Sequence, residues 1–359
     1  MSGYGAPIEI RELPIPGELE PGAILVKTAA ATMCGSDVHA WSGSVKGVSG
    51  QQLPAVLGHE MSGIIVKLGP GVTTDSVGQS IREGDLLMWE NGACGKCYNC
   101  SVMGHRAFCT NRKSYSWAKC EEFPFLVGAF AEYIYVFPES GRLRVPDGLP
   151  PAWVAAATCA LRTVMHGYER LGKVDFHQWA VVQGAGPLGL FMTAILNHAG
   201  VENIVVVDAV EQRLALARKW GARHTISMAE LPAQSDRIQA LNDLTHGRGA
   251  DVLVQVANGS TAFVEGVAMA AKNARYLSIG IGSPATPFNS DLLTMKGVTV
   301  IGSVGAEIRH YYKGLQFMHS TRGRYNYDEM FTNRYRLDQI NECLASFKAG
   351  KEIKPIITF

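Results

Sequence analysis

The octapeptide CGSDVHAW, residues 34–41, places a thiol (Cys34), a hydroxyl (Ser36) and an imidazole (His39) within six positions. A thiol alone says little, because free cysteine is usually a small buried hydrophobe. Two further stretches change its meaning: LGHEMSG, residues 57–63, adds His59, and ATCALRTVMHG, residues 157–167, adds Cys159. Two thiolates and one neutral imidazole would satisfy three positions of a tetrahedral zinc ion and leave the fourth exchangeable, as catalytic zinc requires. An alcohol entering that position would lose its proton far more readily than in water.

A second cluster has a different stoichiometry. CGKCYNCSVMGHRAFC contains Cys94, Cys97, Cys100 and Cys109, separated by two, two and eight residues. Four thiolates saturate one tetrahedral ion, so the expected role is a structural zinc. His105 lies inside the loop and could compete as a ligand, although the four cysteines already suffice.

A third element concerns a cofactor. AVVQGAGPLGLFMTAI places Gly184, Gly186 and Gly189 in G-x-G-x-x-G spacing, with Pro187 and Leu188 opening a helix after a strand. Gly184 would allow the tight turn, Gly186 the approach of a pyrophosphate, and Gly189 close packing of helix on strand. Pro187 suits the first helical turn, where its missing N–H costs nothing. Asp208 ends the next strand, NIVVVD, 22 residues past Gly186, where a carboxylate accepts bonds from ribose hydroxyls and repels a 2′-phosphate. Ala209 and Val210 supply no cation beside it, so NAD is favoured over NADP. Arg213 either flanks the adenine or is a solvated residue of the following helix.

These residues need elements to hold them. The first 150 residues alternate short apolar runs (GAILVKTAAA, GIIVKLGPGV, GDLLMWE, AEYIYVF) with glycine and proline, which predicts a β-rich, barrel-like unit. From about residue 160, the apolar runs QWAVVQ, NIVVVD, HTIS, DVLVQV and ARYLSIG alternate with segments of helical period, which predicts βαβ units around a parallel sheet. The chain is thus α/β, with domains expected at 1–160 and 161–302. Residues 303–359 hold a helical stretch and a last strand, KPIITF, that return to the first domain.

The 359 residues suit about two domains at roughly 150 residues each. The formal charge of +1 gives no reason to expect nucleic acid or an anionic membrane as a partner. No run approaches the roughly 20 apolar residues of a membrane span, and the N-terminus lacks the pattern of a signal peptide. A cytoplasmic location follows as the expectation, where clustered cysteines are metal ligands rather than disulfides.

CGSD, GHE, the four-cysteine loop, GAGPLG and VVVD occur in this order across nearly the whole chain. In that combination the sequence resembles the zinc-dependent medium-chain alcohol dehydrogenase family. The resemblance implies a GroES-like catalytic domain, a doubly wound Rossmann domain, two zinc ions per chain, NAD, and a homodimer or homotetramer. It makes Cys34, His59 and Cys159 the catalytic ligands and Glu60 a neighbouring or transient one. Ser36 falls where the family bonds the substrate oxygen, and His39 where a histidine passes the proton outward. Two departures stand out. The gap before Cys109 is one residue longer than usual, which predicts a bulge near Met103 and Gly104. The third ligand is a cysteine where sorbitol- and threonine-dehydrogenase-like relatives tend to carry a carboxylate.

The substrate is expected to be an alcohol oxidised to its ketone. Trp41, Trp89, Trp117, Phe123 and Phe125 lie where they could wall the mouth of the site, favouring an apolar, cyclic secondary alcohol. Glu90, in WENG, resembles the acidic stretch of polyol and amino-alcohol dehydrogenases and supports that alternative. A non-enzymatic relative would be expected to have lost ligands, and none is missing.

Overall fold

The computed structural model describes residues 1–44, 51–259, 261–281 and 285–359. The chain divides into two units, one formed by Met1–Arg162 with Gly305–Phe359 and the other by Thr163–Val304.

The first unit is built on β1 (Ile24–Thr32), whose inward residues Ile24, Val26 and Ala31 are fully buried. β1 pairs antiparallel with β2 (Met61–Leu68), with β4 (Tyr133–Val136) and with the last strand, β13 (Lys354–Thr358). β3 (Leu86–Trp89) and β5 (Arg142–Arg144) extend one side, and β12 (Phe331–Arg336) lies parallel to β13 on the other. The expected closing strand therefore has a companion. β12 carries the polar sequence FTNRYR, whose exposed residues hide its period-2 signal. The helix α1 (Gly35–Ser42) leaves β1 two residues after the strand ends, which sets the CGSD segment at the rim of the sheet. The short helix α2 (Tyr98–Ser101) lies in the cysteine loop. The helix α3 (Pro151–Ala156) passes into a π-helical turn, Ala157–Leu161, that carries Cys159. Such turns recur at functional sites because the wider turn re-aims a side chain.

The second unit holds a six-stranded sheet of β6 (Trp179–Gln183), β7 (Asn203–Asp208), β8 (His224–Ser227), β9 (Ala250–Gln255), β10 (Ala270–Ser278) and β11 (Thr299–Gly302). The spatial order β8-β7-β6-β9-β10-β11, with every pairing parallel, is the doubly wound dinucleotide-binding arrangement. Parallel sheets are covered on both faces, which is why Val181, Val205, Leu253 and Leu277 are all fully buried. Among the described residues no helix is long and apolar enough to cross a membrane.

Candidate metal and cofactor sites

Cys34, His59, Glu60 and Cys159 each present a ligand atom within 4.8 Å of the others, although 125 residues separate the two thiols. Cys34 caps α1 at its N-terminus, His59 and Glu60 precede β2, and Cys159 projects from the π-helical turn. The two Sγ atoms lie 4.0 Å apart, and this contact with the burial of Cys34 pushes its thiol up to about 12. Buried Cys34, facing a second thiol, an imidazole and a carboxylate, resists ionisation unless a cation joins the cluster. The donor set, soft sulfur with one nitrogen, suits zinc.

Asp37, which the sequence reading passed over, organises this cluster. Its Oδ2 accepts a bond from the Cys34 backbone N–H at 2.9 Å, and its Oδ1 lies 3.0 Å from His59 Nδ1. Despite the opposing effect of burial, Asp37 and Cys34 raise the His59 imidazole well above its ordinary value. A carboxylate on Nδ1 leaves Nε2 as the ligand nitrogen, the usual carboxylate–histidine–metal arrangement. The available signal was the acid three residues after the helix cap, a capping-box position.

Glu60 is fully buried, and its Oε2 accepts the Thr32 hydroxyl at 2.5 Å and pairs with the buried ammonium of Lys354 from β13. Its Oε1 has no hydrogen-bond partner among the described residues. Burial pushes this carboxyl up to about 7, against the pull of Lys354. The free oxygen and the membership of Glu60 in the four-atom cluster fit a group that can approach the metal. Lys354 gave no local signal, because a lysine opening an apolar strand reads as a solvated end.

Ser36 Oγ lies 3.9 Å from Cys34 Sγ. His39, on α1, is half-buried, pairs through Nδ1 with Ser44 Oγ at 3.0 Å, and is pushed below its ordinary value by burial.

In the cysteine loop, Cys94, Cys97, Cys100 and Cys109 likewise bring their sulfurs within 4.8 Å of one another. Backbone N–H groups of Thr110 and Cys100 hold the Cys97 thiol down to about 5, as a thiolate ligand requires. The long gap is taken up after α2: Val102 and Met103 both donate to the Tyr98 carbonyl, and Gly104 turns at φ 67°. His105 packs edge-on against Phe108 at 6.3 Å and is not in the cluster.

In the second unit, Gly184 has φ 107°, and Pro187 opens the helix Pro187–His198, which also carries Leu188. A Cβ on Gly189 would lie 1.8 Å from the Gly184 carbonyl oxygen, whereas a Cβ on Gly186 would meet nothing within 4 Å. Gly189 is thus required by packing, and Gly186 faces open space at the helix N-terminus, where a phosphate fits. Asp208 is nearly buried and accepts the N–H of Ala185 at 2.6 Å and of Val210 at 2.9 Å, one on each oxygen, so each keeps acceptor capacity. Arg213 is half-buried in the first turn of the helix Glu211–Lys219.

The aromatic wall is corrected. Trp89 is 1% exposed and belongs to the core of the first unit, packed edge-on against Tyr115. Leu87, Met88 and Trp89 are buried in succession on β3, so the indole there fills the core. Trp41 donates to the Ala6 carbonyl, and Phe125 packs on the same core. Trp117 and Phe123 line a groove of about 430 Å³ that includes none of Cys34, His59 or Cys159. Glu90 is also buried, 3.6 Å from Arg106 of the cysteine loop.

Comparison with known proteins agrees with this architecture. Residues 20–147 match the alcohol dehydrogenase GroES-like domain and residues 187–320 the zinc-binding dehydrogenase domain. The chain is 34% identical to 5-exo-hydroxycamphor dehydrogenase of Pseudomonas putida, over 98% of this chain and 95% of that protein. It is 30% identical to L-threonine 3-dehydrogenase of Pyrococcus horikoshii, over 99% and 95% of the two chains. The crystal structure of an alcohol dehydrogenase from Thermotoga maritima superposes with a TM-score of 0.90 at 30% identity, covering 99% of this chain and 97% of that one.

Proposed function

The chain belongs to the zinc-dependent medium-chain alcohol dehydrogenase family, and from that premise we propose that it oxidises an apolar, cyclic secondary alcohol to the ketone with NAD⁺. The observation that carries this reading is the gathering of Cys34, His59, Glu60 and Cys159 from three distant segments into one cluster. Cys34, His59 and Cys159 would hold the catalytic zinc, which when bound acidifies the alcohol, and the four loop cysteines would hold a structural one. Asp37 fixes the imidazole tautomer and the start of α1, so both the nitrogen and the first sulfur are aimed in advance.

Ser36 accepts the proton of the alcohol, and His39 passes it toward solvent. The lowered basicity of His39 suits a relay that releases its proton again. The turn of Gly184, Gly186 and Gly189 holds the pyrophosphate of NAD⁺, which supplies the hydride acceptor. Asp208 takes the ribose hydroxyls with its remaining lone pairs and disfavours a 2′-phosphate.

The substrate class is supported by the relative named for hydroxycamphor, a cyclic alcohol, rather than by the aromatics, since Trp89 lies in the core. The second reading, a polyol or amino alcohol, is favoured by relatives named as threonine dehydrogenases. Glu90 adds little to it, because Arg106 engages that carboxylate.

NAD⁺ reduction by the zinc-loaded enzyme across cyclic alcohols, sorbitol, xylitol and threonine tests the choice. A kcat/KM at least about tenfold higher for cyclic alcohols, about 1.4 kcal/mol of transition-state binding, is expected. A preference for threonine or a polyol would select the second reading.

A further inference from the structure

The strands β6, WAVVQ, and β9, ADVLVQ, each close an apolar run on a glutamine. Gln183 and Gln255 are both 4% exposed, pair in register, and end the two strands between which the strand order of the sheet reverses. An amide buried to that depth costs free energy unless both of its ends are bonded. Both amides meet that condition. Gln183 Nε2 donates to the Ala262 carbonyl at 2.8 Å, and its Oε1 accepts the Tyr276 hydroxyl at 3.0 Å. Gln255 Nε2 donates to the Ala257 carbonyl, and its Oε1 accepts the hydroxyl of Ser278, the last residue of β10, at 3.1 Å. In each case the backbone carbonyl demands an N–H donor, which fixes the orientation of the amide.

The surrounding backbone leaves room for these bonds. Gly266 lies inside the helix Ala262–Met269, where glycine is unfavourable, yet a Cβ there would stand 2.6 Å from Gln183 Oε1 and 2.5 Å from the Tyr276 ring. On Gly280, just past β10, a Cβ would overlap Gln255 Nε2. The segment that leaves β9 is thus held at two points, at Ala257 by Gln255 and at Ala262 by Gln183, and the Val256 N–H adds a bond to the Gln183 carbonyl at 3.1 Å. Ala257 also packs on the glycine turn, since a Cβ on Gly184 would stand 3.2 Å from the Ala257 Cβ.

In an open parallel sheet a dinucleotide lies outside the carboxyl ends of the strands where their order reverses, with one nucleotide over each half. Asp208 ends β7, on one side of β6, and takes the adenosine half in the reading above. The nicotinamide half then falls on the other side, over the ends of β9 and β10. Resting on that NAD⁺ reading, we infer that Gln183 and Gln255 are positioning residues that clamp the backbone at 256–258 against the Gly184 turn and thereby shape the seat of the nicotinamide. Each acts through the backbone carbonyl it holds. A fully bonded pair of amides specifies one arrangement of that backbone, where two apolar side chains would permit several.

The test uses the full-length zinc-loaded protein and compares, by calorimetric titration, NADH with ADP-ribose, which lacks the nicotinamide ring. Gln255→Met and Gln183→Met keep the length of the side chain and lose its hydrogen bonds. Each is expected to weaken NADH by at least about tenfold while ADP-ribose stays within about twofold of the unaltered protein. Gln255→Glu keeps the shape and the acceptor for Ser278 but sets a carboxylate oxygen against the Ala257 carbonyl, so it should weaken NADH as Gln255→Met does. Should the methionine variants fold poorly, Tyr276→Phe removes only the hydroxyl on Gln183 and should weaken NADH severalfold, again with ADP-ribose unchanged. Equal weakening of both ligands would mean that the glutamines support the unit at large, and NADH affinity unaltered in Gln255→Glu would mean that packing alone matters. Either result overturns the proposal. If the unaltered protein binds neither ligand, the NAD⁺ reading itself is overturned and the positioning role with it, an outcome read before any variant is made.

Discussion

Asp37 shows how much one side chain can organise. Its two oxygens serve two different candidate ligands, the backbone of Cys34 and the ring of His59. Asp37→Asn keeps the shape but replaces one acceptor by a donor, so one of the two bonds must break or the imidazole must change tautomer. Zinc affinity at this site is expected to fall by about 10- to 100-fold, measured by chelator competition, with the fold intact by circular dichroism. The buried pair of Glu60 and Lys354 makes a second prediction at this scale. Lys354→Met leaves a fully buried carboxylate unpaired and should cost about 3–5 kcal/mol in denaturant unfolding, whereas the double change with Glu60→Gln should recover most of it. Equal losses in the single and double variants would show that the pair contributes through packing instead.

Among the elements, the strand–turn–helix of the second unit separates two glycines of identical composition. At Gly189 a methyl group would overlap the Gly184 carbonyl, so Gly189→Ala should lower the melting temperature and abolish NAD⁺ binding together. At Gly186 the protein leaves open space, so Gly186→Ala should leave the melting temperature within about a degree of wild type and weaken NAD⁺ alone, by filling the volume a pyrophosphate needs. Fluorescence titration with NADH and a thermal melt of each variant decide the matter.

At the scale of the molecule, the chain leaves the first unit after Arg162 and re-enters it at Gly305, and the cysteine loop meets the returning segment. Ala107 of the loop donates to the Glu307 carboxylate at 3.5 Å, and Arg106 reaches Glu90. Burial pushes Glu90 up from 4.5 to about 7 against the favourable pull of Arg106 and of the backbone at Gly141 and Ile308. A carboxyl raised in the fold binds more protons there than in the unfolded chain, so its contribution worsens as pH rises from about 4.5 to 7. The cost at pH 8 is on the order of 3 kcal/mol. Glu90→Gln should therefore raise the melting temperature relative to wild type more at pH 8 than at pH 5. An equal shift at both values would remove the ionisation argument. Metal analysis of the purified chain should return two zinc ions, and Cys97→Ser should remove one of them and lower stability, because a structural ion contributes folding free energy directly.

Much was legible in the order of residues alone. The glycine triplet with its following acid, the four-cysteine spacing and the alternation of apolar strands with helical segments are local patterns, set by turn geometry, tetrahedral ligation and burial on both faces of a parallel sheet. The family and the fold class followed from them. What only the tertiary structure decided is which distant groups share one space. Lys354 meets Glu60, 294 residues away in the numbering, because β13 pairs with β1, and no local signal marks that contact. Trp89 looked like a wall of the site because it precedes the cysteine loop, yet β3 turns it into the core. Sequence patterns report the conformation of neighbours along the chain, whereas burial and charge pairing depend on long-range closure, which becomes visible once the chain has returned to its first sheet.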